Sequence, residues 1–281
     1  MNKPLVTVYI PTKNRPELLQ RAIQSTLRQD YQNLEIIVVD DGSTEECKKQ
    51  IAEICQLSAN IRLISNVQSA GACSARNQAI SSAKGVFITG LDDDDEFLPG
   101  RISAFVDAWQ QSTDISLLCT GYHFILPGGK QIKSGRRATR INCNSIKNIN
   151  DVGNQVFTLT CYLQQIGGFD PALVACQDYD VWIRLICRFG PGIRLPNQSY
   201  VVHQEHDSPR ISALHKRVEG HQALIKKHKS SLTKQQLKSQ RFFCALYGGE
   251  PDILKLIRLS GVRNAIPLAK MLAVRLLSRR R

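Results

Sequence analysis

The first hundred residues switch repeatedly between two hydrophobic periods, and that alternation limits the fold more than any other feature. "LVTVYI" (5–10) is β-branched and apolar, as a buried strand is. It is followed by "RPELLQRAIQSTLRQD", where Leu18, Leu19, Ala22, Ile23 and Leu27 share one helical face. Asn14 and Pro16 stand where a cap and a first-turn proline belong. "LEIIVV" (34–39), "IRLI" (61–64) and "GVFITGL" (85–91) read as three more strands. "TEECKKQIAEICQL", "GACSARNQAISSA" and "PGRISAFVDAWQQ" read as helices. Strand–helix alternation predicts an α/β protein with a mostly parallel sheet and helices on both faces.

Ligands of such sheets bind beyond the carboxyl ends of the strands. Here those ends carry "PTKN", "DDGS" and, after the fourth strand, "LDDDDEF". Adjacent carboxylates repel, so four in a row call for solvent or for a cation. Alternation would turn Asp92 and Asp94 the same way, as hard oxygen ligands for Mg²⁺ or Mn²⁺. In "VVDDGS", Asp40 or Asp41 could accept from a base N–H or a ribose hydroxyl, or Asp41 or Ser43 could cap the next helix. No GxGxxG follows the first strand, which argues against a dinucleotide fold.

Past residue 115 the pattern is less regular. "ISLLCTGYHFIL" reads as one strand, and the stretch 128–148, with six basic residues and no acid, as an exposed loop or hairpin. "GGFDPALVACQDYDVWIRL" holds Asp170, Asp178 and Asp180 at the approach to a helix. Asp178 could be a general base, or a helix-start aspartate favoured by the dipole. The nine cysteines form no CxxC pair, and they read as reduced, mostly buried thiols. Of the net charge of +13, the segment 210–281 supplies seventeen Lys and Arg against three acids. Such a tail suits a polyanion, either nucleic acid or an anionic membrane. Its "ILKLIRL" and "LAKMLAVRLL" interleave apolar and basic residues without aromatics to stack on bases, which favours the membrane. No run of about 18 apolar residues is present, and the start lacks a secretion signal, so the expected location is cytoplasmic.

Taken in order, "VTVYIPTKNRPELLQRAIQSTLRQDYQNLEIIVVDDGS", "SAGACSARNQAISSAKGVFITGLDDDDEFLPGRI", "GGFDPALVACQDYDVWIRL" and "HQEHDSPRIS" resemble glycosyltransferase family 2, inverting enzymes of the GT-A fold, and most of all the members that build bacterial surface polysaccharides such as O-antigen, lipopolysaccharide or capsule. The resemblance spans about 5–212. It implies a catalytic unit over 1–209, with a nucleotide-binding half (1–114) and an acceptor-binding half (115–209); over 210–281 the sequence pattern itself reads as helical and basic. It implies a UDP-sugar donor, a lipid-linked saccharide acceptor, Mn²⁺ or Mg²⁺, and a peripheral position at the inner face of the cell membrane. By the family pattern Asp41 would read the uracil, with Pro11 and Thr12 bordering the base and Arg76 near the nucleotide. Asp92, Asp93 and Asp94 form the DxD element. Asp94 would bind the metal and Asp92 would face the ribose and the metal's water shell, with Asp95 in support. Asp178 would be the catalytic base and His206 a metal-side histidine, with His203 as its competitor. The family's usual Glu before the base is Gln177 here. A nucleotidyltransferase would show a Gly- and Lys/Arg-rich phosphate loop that "PTKNRP" lacks; a non-catalytic nucleic-acid-binding protein is the rival from another class.

Overall fold

The computed structural model describes residues 3–205 and 214–261, with positions 264, 265 and 269 beyond them. The alternating half folds as β1 (Val6–Thr12), α1 (Pro16–Leu27), β2 (Leu34–Asp40), α2 (Glu45–Cys55), β3 (Ile61–Ser65), α3 (Ala72–Ser82) and β4 (Phe87–Gly90). Then come β5 (Glu96–Phe97), α4 (Arg101–Gln110), β6 (Leu117–Cys119), β7 (Tyr122–Ile125), β8 (Gln131–Ser134), β9 (Thr139–Ile141) and α5 (Cys143–Ile146). The rest comprises β10 (Phe157–Leu159), α6 (Thr160–Gln165), α7 (Gln177–Phe189), β11 (Gly192–Arg194), β12 (Tyr200–His203), α8 (Leu214–His228), α9 (Lys234–Tyr247) and α10 (Ile253–Ser260).

The main sheet runs β3-β2-β1-β4-β10-β6-β11-β9, and its first four strands are parallel. Period two sorts their side chains. Ile36 and Val38 pack with Leu19, Ala22 and Ile23 of α1, while Ile37 and Val39 pack with Ala75, Ala79 and Ile80 of α3. Both faces are therefore buried, which is why these strands read as continuous apolar runs. Each large side chain so enclosed contributes about 1.5–3 kcal/mol.

Four expectations need correcting. "ISLLCTGYHFIL" is two strands: the chain breaks at Thr120–Gly121, and β7 joins a second sheet, β5-β12-β7-β8. Arg15, not Asn14, is the N-cap of α1; Asn14 adopts φ 56° and accepts instead from the Thr44 amide at 2.8 Å. The cap of α2 is Thr44, not Asp41 or Ser43, because the Asp41 carboxylate is taken by the Ser69 hydroxyl and the Ala70 and Gly71 amides and the Ser43 hydroxyl donates to the buried Asp40. The cysteines are not all thiols. Cys143 on α5 and Cys187 on α7 form a disulfide across 44 residues, because those two helices pack together.

The helices α8 and α9 lie on the body of the fold. Leu224 joins the core beside α7, and the Gln236 and Gln240 amides of α9 donate to the Asn144 and Lys147 carbonyls around α5. On α10, Ile253, Leu254 and Ile257 are 40, 65 and 49 % exposed. No described helix is long and apolar enough to cross a membrane.

Candidate active site

One cleft of about 1480 Å³ opens at the carboxyl ends of β1, β2 and β4. Pro11, Thr12, Asp41, Arg76, Asp92, Asp93, Asp94 and Asp178 all line it, although they are separated by up to 167 positions. His206 lies outside the described residues.

At one end sits Asp41. Gly42 follows it with φ 73°, and a Cβ there would lie 2.6 Å from the Ser69 nitrogen. Only glycine allows that close approach in this conformation. The 69–71 loop thus closes over the aspartate: the Ser69 hydroxyl (2.6 Å) and the Ala70 and Gly71 amides (2.8 and 2.9 Å) all donate to it. Burial pushes its pKa up, but these hydrogen bonds outweigh burial and hold the carboxyl below its ordinary range.

The four aspartates form a turn in which the Asp95 amide donates to the Asp92 carbonyl at 3.0 Å. The alternation holds. Asp92 and Asp94 have side chains 24 and 21 % exposed, whereas Asp93 and Asp95 are buried. Their mutual repulsion is met mainly by arginines. Arg15 reaches Asp93 at 2.7 Å and Asp94 at 3.3 Å, and Arg76 reaches Asp92 at 3.1 Å. Thr12 donates to Asp93 at 2.7 Å. Gln155 and Asn154 donate to Asp92 at 3.0 and 3.4 Å, and the His203 amide to Asp95 at 3.1 Å. Burial, with Asp94 and Asp92 adding to it, lifts Asp93 to about 7 against the pull of Arg15 and Thr12. Burial and its acidic neighbours likewise raise Asp95 well above the carboxylate norm.

Across the cleft, Asp178 is the second residue of α7. It follows Cys176, which holds a left-handed φ of 59°, a costly conformation that turns the chain into the helix. Burial pushes the Asp178 carboxyl up to about 6; Asp92 adds to this, while the Tyr179 amide and Arg76 oppose it. Asp180 is wholly buried and bound to Arg184 (2.7 Å), Lys227 (3.0 Å) and His228 (2.8 Å). Although burial works against it, these partners hold it near 2. Asp180 is therefore spent on structure, and Asp170 is tied to Lys227 and the Ala172 amide. Gln177 accepts from Arg76 at 3.4 Å, so one guanidinium touches both the acidic turn and the segment bearing Asp178.

His203 is engaged on both ring nitrogens, by Glu205 at 2.5 Å and Glu96 at 2.8 Å. Burial favours the neutral ring, but these two carboxylates outweigh it and raise the His203 pKa. Among the described residues no group of three or more His, Cys, Asp or Glu is arranged to hold a metal ion.

The family model described as glycosyl transferase family 2 matches residues 7–163. The chain belongs to glycosyl transferase family 2. A protein of Escherichia coli (strain K12) named as a colanic acid biosynthesis glycosyl transferase, WcaA, is 35 % identical over 247 residues, covering 86 % of this chain and 87 % of its own. The chondroitin synthase of Pasteurella multocida is 27 % identical over 183 residues, 65 % of this chain but 19 % of that one. Among solved structures, S. aureus TarS 1-349 in complex with UDP-GlcNAc superposes with a TM-score of 0.68 at 17 % identity, over 92 % of this chain and 80 % of that one. The mannosyltransferase PcManGT of Pyrobaculum calidifontis, in complex with GDP-Man and Mn²⁺, gives 0.64 at 18 %, over 98 % and 80 %. The fold of this family 2 member is GT-A, and the protein is a glycosyltransferase.

Sequence reasoning missed Arg15, although it directly follows "PTKN"; an arginine beside an acidic rim was the available signal. It also missed Asn154, Gln155 and the α8–α9 wall, none of which carries a local pattern.

Proposed function

We propose that this glycosyltransferase moves a sugar from a UDP-sugar to an acceptor hydroxyl in one inverting displacement. The observation that carries the reading is the Arg76 fork, which ties the acidic turn to the segment bearing Asp178, so donor and base face one another in a single cleft. Asp41 would accept from the uracil, bordered by Pro11 and Thr12. Asp92 would meet the ribose, and Asp93, taken by Thr12 and Arg15, holds the turn in shape. Asp178 accepts the proton of the acceptor hydroxyl as that oxygen bonds to the anomeric carbon. The bond from that carbon to the diphosphate breaks on the opposite face, and its electron pair leaves with UDP. One displacement inverts the centre and needs no covalent intermediate.

The residues fit a divalent ion. Asp92 and Asp94 offer hard oxygens at the cleft, and Arg15 already places positive charge on Asp94. Two carboxylates completed by phosphate oxygens suit Mn²⁺ or Mg²⁺. Asp94, with Asp92 behind it and His206 as a further candidate ligand, would hold the ion. A bound divalent ion supplies Lewis-acid stabilisation of the departing diphosphate. The catalytic unit is taken as 1–209, with α8 and α9 packed on it. The 35 % identical relative named for colanic acid biosynthesis supports a place in surface-polysaccharide synthesis, and the acceptor we propose is a lipid-linked saccharide. The apolar face of α10, with Lys255 and Arg258 beside it, suits peripheral attachment to the anionic inner face of the cell membrane.

The test is nucleotide release from a panel of UDP-sugars with Mn²⁺ or Mg²⁺ and an added saccharide acceptor, followed by NMR of the product's anomeric centre. Turnover is expected with at least one donor, abolished by EDTA and by Asp94→Ala, and the product is inverted. Full turnover in excess EDTA removes the ion from the mechanism, and a retained configuration overturns the single displacement.

A further inference from the structure

Beyond Asp178 the cleft is walled by α8 and α9, through Lys216, Arg217, His221, Phe243 and Tyr247. This wall is fastened beside Asp178: the hydroxyl of the next residue, Tyr179, accepts from Gln240 of α9 at 2.8 Å, and the Tyr179 ring lies 6.2 Å from His221 of α8, so the wall borders the place where the molecule that loses its proton to Asp178 must enter. It is built by close approach. Gly220 of α8 sits against Ala175, and a Cβ there would lie 2.8 Å from the Ala175 carbonyl carbon. Three features of the wall belong to no part of donor binding or proton transfer.

The first is an aromatic surface. The His221 ring lies 5.3 Å from Phe243 with planes 15° apart, and 5.6 Å from Tyr247. The second is an oriented imidazole. The Gln240 amide nitrogen donates to the Lys147 carbonyl and the Tyr179 hydroxyl, both at 2.8 Å, so its oxygen faces His221 Nδ1 at 2.9 Å. Nδ1 must then carry the hydrogen, which leaves Nε2 as an acceptor. It has no partner among the described residues. Burial, helped by Arg217, keeps the ring neutral against the Gln240 bond. The third is charge. Arg217 lies over Tyr247 at 5.3 Å, and Lys216 beside it has no carboxylate partner among the described residues. An aromatic surface takes a sugar face, an acceptor nitrogen takes a hydroxyl, and an unpaired lysine takes an anion.

We propose that α8 and α9 form the acceptor subsite, and that it takes a saccharide bearing a phosphate or carboxylate beside the ring that is glycosylated. The ring lies against Tyr247, one hydroxyl donates to His221 Nε2, and the anion meets Lys216. This rests on the glycosyl-transfer reading, and it narrows the acceptor to an anionic class.

The full chain is titrated with UDP and Mn²⁺ by calorimetry, and then probed by saturation-transfer NMR with glucose 1-phosphate, glucuronate and methyl glucoside. The expected result is binding of at least one anionic probe about tenfold tighter than methyl glucoside, the difference one charge-assisted contact makes. Lys216→Gln should remove that preference, and Tyr247→Ala should weaken all three probes, with UDP affinity unchanged as the control for folding. The anion that binds identifies phosphate or carboxylate as the group recognised. Equal affinity for neutral and anionic probes, an unaltered preference in Lys216→Gln, or no saccharide binding by UDP-loaded protein overturns the proposal. Absence of UDP binding with the anion preference intact would instead fault the donor assignment and leave the subsite standing.

Discussion

Asp178 and Asp180 stand two residues apart on one helix and live in opposite surroundings. Asp178 is raised to about 6 by burial, while Asp180, despite its burial, is held near 2 by His228, Arg184 and Lys227. The signs of their pH effects are therefore opposite. A carboxyl whose folded pKa lies above its unfolded value favours the protonated native state, so ionised Asp178 costs stability as pH rises from about 4 through 6. Asp178→Asn should then raise the melting temperature at pH 7.5 while lowering kcat by about 10²–10⁴. In the parent enzyme kcat should fall as pH drops through about 6, where the base takes its proton. Calorimetry and a pH–rate profile check both. Asp180 stabilises the fold above its unfolded pKa, and that stability is lost as pH falls towards 2. Asp180→Ala leaves Arg184 and Lys227 without their buried partner and should cost about 3–5 kcal/mol in urea unfolding.

The element that decides the acceptor side is α8, and its seat depends on Gly220. In a free helix, Gly→Ala stabilises by roughly 1 kcal/mol. Here a methyl would lie 2.8 Å from both the carbonyl carbon and the Cβ of Ala175, and the backbone cannot yield as a side-chain tip can. Sterics should win. Gly220→Ala is expected to destabilise by about 1–3 kcal/mol and to lower kcat/KM for transfer, since Ala175 and Cys176 lead directly into Asp178. UDP affinity should stay within about twofold of the parent. Thermal melts with paired kinetic and calorimetric titrations measure all three. A rise in stability would show that α8 has room to shift.

At the scale of the whole molecule the charge is divided. The basic excess sits in 210–281, while the acidic rim lies at the sheet. On α10 the exposed Leu254 and Ile257 stand beside Lys255 and Arg258. Each basic residue near an anionic surface adds about 1 kcal/mol, and salt screens that attraction. The full chain should co-sediment with vesicles containing phosphatidylglycerol, less so in 0.5 M salt, a screening concentration of roughly 4 Å Debye length. A Leu254→Asp/Ile257→Asp double variant should bind more weakly while keeping activity on a short soluble acceptor. Equal binding to neutral vesicles, or none to either kind, rules the attachment out.

What the sequence determined was local. Strands β1 to β4 and helices α1 to α4 were legible because each buries a face whose period is written within about a dozen residues, and parallel connections put their carboxyl ends on one rim. That placed Thr12, Asp41 and Asp92–Asp94 together before any coordinates. Asp178 came only through the order of motifs, since its own neighbourhood reads equally well as a helix start. The tertiary structure decided the rest. Strand β10 enters antiparallel between β4 and β6, and three residues are too short to carry a period. Cys143 meets Cys187 across 44 residues, a pairing no spacing reveals. Arg15 balances Asp93 and Asp94, Asp180 is buried among three basic side chains, and a basic tail that reads as a membrane-binding region sends α8 and α9 to wall the cleft. Burial and charge pairing depend on which distant surfaces meet, and the chain records that only when its elements are packed.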